Sequence, residues 1–80
     1  MYRHLQRRIE YKLRTMGLLL QKLDILVIRG NVGLTGNFIS IYTGQPFSSD
    51  ELGEMKRLLM RIPEVESVCL RVVDNPVLVS

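Results

Sequence analysis

The chain has little that covalent or metal chemistry could use. It contains one cysteine, Cys69, one histidine, His4, and no tryptophan. A lone cysteine excludes an internal disulfide framework, and two Cys/His residues fall short of the four ligands of a structural zinc site. No metal or other cofactor is expected. Long apolar runs are also missing: Leu18-Leu19-Leu20 is broken by Gln21-Lys22, far from the roughly 18–20 apolar residues that span a bilayer. The N-terminus lacks both the apolar h-region of about 7–15 residues and the small-residue cleavage site of a secretory signal. As written, the chain is expected in the cytoplasm; excised from a longer precursor, it would belong to the periplasm or a membrane periphery.

Catalytic groupings are equally scarce. Cys69 and His4 are the sole Cys/His pair, but Cys69 lies in an alternating apolar run and His4 in a basic segment, so no nucleophile and base are brought together. The acids Asp24, Asp50, Glu51, Glu54, Glu64 and Glu66 are scattered, and the glycines fall in a hairpin rather than in a strand-to-helix phosphate loop. A non-enzymatic protein is expected.

What remains is a single small domain. Of 80 residues, 46% are apolar and 24% charged, an ordinary globular composition near the lower size limit for one core. The net charge of +3 is unevenly distributed. Residues 1–22 hold six basic groups (Arg3, Arg7, Arg8, Lys12, Arg14, Lys22) against Glu10, a net +5, and residues 23–80 carry −2.

Tyr2, Leu5, Ile9, Leu13, Met16, Leu20 and Leu23 recur at intervals of three and four, predicting a helix over about 2–22 with one apolar stripe roughly 80° wide. Arg3, Arg7, Arg8 and Arg14 spread over the other side, Gly17 marks a fray or bend, and Leu18 is expected to project from the stripe as a small interaction site. Residues 25–29, Ile25-Leu26-Val27-Ile28-Arg29, read as a buried strand, with Gly30-Asn31 supplying the positive φ of a tight turn. The return strand, about 32–41, alternates, with Val32, Leu34, Gly36 and Phe38 on one face and Ile39 and Ile41 on the other. Gly36 suggests close backbone approach by a packed helix, or a bulge.

The second helix, about 49–62, is announced locally. Ser48 and Glu51 have capping-box spacing, and Phe47 can staple onto Leu52. Leu52, Met55, Leu59 and Ile62 form its inner face, and Pro63 stops it. A third strand at about 66–73 turns Val68, Leu70 and Val72 inward and Ser67, Cys69 and Arg71 outward; Val77-Leu78-Val79 is an edge addition or a tail. The fold class is α+β, two-layered, in the order α-β-β-α-β, with two helices on one face of a three-stranded mixed sheet.

The run Gly30-Asn31-Val32-Gly33-Leu34-Thr35-Gly36-Asn37-Phe38 has the form G-x-V-x-L-x-G-x-Φ after a β-branched strand. With Ile62-Pro63-Glu64-Val65-Glu66-Ser67-Val68, it resembles the BON domain family, named for bacterial osmotic-shock and nodulation proteins. The resemblance spans about residues 5–73 and the element order agrees; Gly30, Val32, Leu34 and Gly36 carry the hairpin motif. Glu64 stands where the family usually has Gly, and Cys69 where it often has a polar residue. The resemblance implies a non-enzymatic module that binds phospholipid surfaces.

Three binding readings follow. In the first, Arg3, Arg7, Arg8, Lys12 and Arg14 meet an anionic phospholipid surface, each basic group contributing about 1 kcal/mol; the plain alternative is a solvated helix face. In the second, the chain is a homodimer or protein-interaction module using Leu18, Ile39 and Ile41. The third, nucleic-acid binding, is disfavoured: Gly30-Asn31-Val32-Gly33 has G-x-x-G spacing but joins strands, and no aromatic RNP motif is present.

Overall fold

A computed structural model describes residues 4–73 of the chain. Its helices are α1 (Leu5–Thr15) and α2 (Ser49–Met60), its strands β1 (Leu23–Ile28), β2 (Asn31–Gly36) and β3 (Ser67–Val72), with a short 3-10 turn, Leu20–Lys22, leading into β1. The order is α-β-β-α-β. In the sheet β2 is central, antiparallel to β1 and parallel to β3, because the hairpin reverses the chain and the helical crossover through α2 restores its direction.

Both helices pack on one face. Leu5, Ile9 and Leu13 of α1 and Met55 and Leu59 of α2 are buried against Val32, Leu34 and Val68 of the sheet, with Leu18, Leu23, Phe38 and Val65 closing the core. Among the described residues no helix covers the other face, which overturns the reading of residues 25–29 as a buried strand. In β1 alternate residues point outward, leaving Leu26 61% and Ile28 56% exposed.

The first helix is shorter than its periodicity predicts; Tyr2 and Arg3 lie outside the described residues. Gly17 ends it with φ 82°. The Gly17 N–H donates to the Arg14 carbonyl (2.9 Å) and the Leu18 N–H to the Leu13 carbonyl (3.1 Å). This is a Schellman closure, in which a left-handed residue satisfies the last carbonyls and brings the next side chain back onto the helix. Leu18 is therefore drawn into the core, 2% exposed, and is no interaction site. Leu20 and Leu23 kept the helical spacing, but they turn inward from the 3-10 turn and from β1.

The hairpin turn is Arg29-Gly30 rather than Gly30-Asn31, since Ile28 pairs with Asn31. The positive φ, 59°, falls on Arg29. Gly30 is required for room: a Cβ there would stand 2.6 Å from the Glu64 carbonyl oxygen, and the Gly30 carbonyl accepts from the Glu66 N–H at 2.7 Å. Gly36 combines φ 142° with close approach of the Lys22–Leu23 backbone, as its missing side chain suggested, although the neighbour is an incoming strand and not a helix.

At Gly36 β2 ends, short of the predicted residue 41. The Asn37 N–H turns to the Lys22 carbonyl (3.0 Å), and Ile39 and Ser40 make isolated bridges to Pro46 and Leu18. Ile39 and Ile41 are thus not on the opposite sheet face. Ile39 is half-buried beyond the strand, and Ile41 is exposed in the following loop.

The start of α2 has the predicted capping box. The Ser48 N–H donates to Glu51 Oε1 (2.7 Å), and the Glu51 N–H to Ser48 Oγ (3.2 Å). Its end is Met60, two residues earlier than expected, with Arg61 as the cap. In β3 Val68 is buried and Leu70 half-buried, but Val72, expected inward, is exposed; it lines a groove with Phe38, Phe47 and Leu52. Residues 77–79 lie outside the described residues.

Candidate functional site

Successive α-helical residues advance by about 100°, so with Leu5, Ile9 and Leu13 fixed inward the opposite pole of α1 is occupied by Arg7, Tyr11 and Arg14. All three are exposed, Tyr11 at 68%. Among the described residues, neither Arg7 nor Arg14 has a carboxylate within ion-pair distance.

Arg8 and Lys12 lie on the flank that faces the α2–β3 connection. Arg8 Nη1 donates to Glu64 Oε1 at 2.7 Å, and Lys12 is half-buried beside Ile62 in a shallow groove. A hydrogen bond with its own backbone and then the Arg8 guanidinium hold the Glu64 carboxyl below its usual value. Arg8 is therefore a tether between α1 and the loop, while Arg7 and Arg14 keep their charge toward solvent. Arg3 lies outside the described residues.

Tyr11 was not legible as part of the site from the apolar stripe, which it does not join. The signal was its placement four residues after Arg7 and three before Arg14, the spacing of neighbours on one helix surface. An aromatic ring among basic side chains presents an apolar body and a polar tip, a combination suited to the water–headgroup boundary.

The hairpin residues Gly30, Val32, Leu34 and Gly36 are structural in their placement. Val32 and Leu34 are core, and the two glycines permit the backbone contacts described above. The sheet separates Cys69, exposed on its outward face, from α1 and His4 on the other, so the Cys/His pair does not assemble.

Two grooves flank Phe47. The larger, about 480 Å3, lies between the 40–47 loop and α2 and has an apolar floor of Met16, Phe47, Met55 and Leu58. Its carboxylates are already engaged, Glu51 in the capping box and Glu54 with Arg57 at 3.2 Å. The smaller, about 240 Å3, is walled by Phe38, Leu52, Val72 and Val73. Both offer shape and apolar surface more than reactive groups. Among the described residues no helix is long and apolar enough to cross a membrane. No protein-family model matches the chain, and no match was found among curated proteins or among solved structures.

Proposed function

We propose that this chain is a non-catalytic binding module that docks on anionic phospholipid surfaces through the outward pole of α1. The observation that carries the reading is the ridge Arg7–Tyr11–Arg14, two cations without carboxylate partners among the described residues flanking an exposed ring. Arginine forks suit phosphate oxygens, and tyrosine suits the boundary between headgroup and acyl chain. The resemblance of the hairpin to BON domains supports the same reading. Arg8 and Lys12 add field strength from the flank rather than direct contact.

Co-sedimentation with phosphatidylcholine vesicles, with and without phosphatidylserine, tests it. Binding is expected to the anionic vesicles and to weaken with salt. Arg7→Glu/Arg14→Glu should reduce it by at least about 30-fold, the loss of about 1 kcal/mol for each of two basic residues. Equal partitioning to neutral and anionic vesicles, or an unaffected double variant, overturns the reading; tight, salt-sensitive binding to single-stranded RNA without vesicle binding transfers the ridge to nucleic acid.

A further inference from the structure

The sheet face turned away from the helices has a pattern that the lipid reading does not use. It consists of three rows running across β1, β2 and β3: Asp24, Thr35 and Arg71; Leu26, Gly33 and Cys69; Ile28, Asn31 and Ser67. In the second and third rows the large apolar side chain is on β1 and a small residue on β3. In the first row the charge is negative on β1 and positive on β3. The middle strand is low in the second and third rows: a Cβ at Gly33 would meet nothing nearer than the Leu26 carbonyl oxygen at 3.9 Å, and Asn31 is held down by a 2.7 Å bond donated by Ser67 Oγ.

We propose that this face seats a second copy of the chain, the two sheets packing face to face about a two-fold axis parallel to β2. That rotation carries β1 of one copy over β3 of the other. Every row then matches. Asp24 meets Arg71 of the other copy, twice by symmetry; Leu26 fills the space over Cys69, and Ile28 the space over Ser67. Facing sheets pack about 10 Å apart with strands nearly aligned, and an isologous contact needs a surface that is its own complement. This one is complementary in both size and charge.

The extent of the face sets the strength of the contact. Three strands of six residues cover about 14 by 20 Å. The combined planar area of two such faces is roughly 560 Å2, which side-chain relief carries toward but not beyond the roughly 1,000 Å2 at the low end of specific interfaces. The pair is accordingly weak and concentration-dependent. The inference is independent of the lipid reading, because α1 lies on the other side of the sheet.

Sedimentation equilibrium from about 10 µM to 1 mM, with circular dichroism to confirm folding, tests it by charge reversal. Wild type should self-associate reversibly. Asp24→Arg and Arg71→Asp should each weaken association at least about tenfold, by setting like charges face to face. An equimolar mixture of the two variants should recover association, since each then meets its opposite. Leu26→Lys should weaken it without reversing any existing charge. A wild type that stays monomeric to 1 mM overturns the proposal. So does association that none of these substitutions changes, which would place the contact elsewhere.

Discussion

Gly36 and Gly53 differ in what their missing side chains do. At Gly36 the backbone has φ 142° and the Lys22–Leu23 backbone occupies the place of a Cβ. At Gly53, inside α2, a Cβ would meet nothing within 4 Å. Gly36→Ala is expected to destabilise by about 1–3 kcal/mol from backbone strain alone, and Gly53→Ala to stabilise by up to about 1 kcal/mol through helix propensity. Urea unfolding of the two variants checks the contrast. Equal effects would mean that the β1–β2 connection is looser than the structure shows. At this scale the sequence was informative about which glycines matter and less so about why. Gly30 looked like a turn residue, yet the left-handed φ sits on Arg29, and Gly30 is held by contact with a loop 34 positions later in the chain.

Local signals at the level of elements were legible where the chemistry is local. The capping box needs nothing beyond Ser48 and Glu51, and both of its hydrogen bonds are present. Gly17 read as a fray or bend and not as a stop because Leu20 and Leu23 continue the helical spacing for a different reason, so the periodicity ran past a Schellman closure. Two helices on one sheet face were expected, and that arrangement leaves half of β1 open; a continuous run of Ile, Leu and Val reads instead as a strand buried on both sides and does not mark which residues turn outward. The same limit hid the outward turn of Leu26 and Ile28; Cys69 was already read as outward, but the rows it shares with them emerge once the strand registers are known.

The link between α1 and the α2–β3 connection also belongs to this scale. Glu64 supplies the carboxylate that tethers Arg8. Its carboxyl titrates below the usual 4.5, through the bond with its own backbone and the Arg8 guanidinium. A carboxyl lowered by folding stabilises above its unfolded pKa and loses that contribution as pH falls through the folded one. The melting temperature of wild type should therefore exceed that of Glu64→Gln near neutral pH, and the difference should close below the usual value of 4.5. A difference that does not change with pH would show that the carboxylate charge is not what holds the helix. Because the pair is exposed, its contribution is small and its main consequence is positional.

The molecule as a whole has two unlike surfaces separated by a sheet. On one side α1 presents basic residues around Tyr11; on the other lie the self-complementary rows of the sheet. The uneven charge of the sequence, +5 on residues 1–22 against −2 on the remainder, becomes a direction in space: Arg7 and Arg14 face solvent while Arg8 turns back to the body. A face-to-face pair would carry its two α1 ridges on opposite outer surfaces, so blocking the sheet contact leaves the ridge intact.

Amide chemical-shift mapping with anionic and zwitterionic micelles tests the ridge most directly. Shifts confined to α1 and centred on Arg7, Tyr11 and Arg14, present with the anionic micelles and absent with the zwitterionic ones, are the predicted result. Shifts centred on the 30–36 hairpin or on the outward sheet face, or shifts of equal size with both micelles, would contradict it.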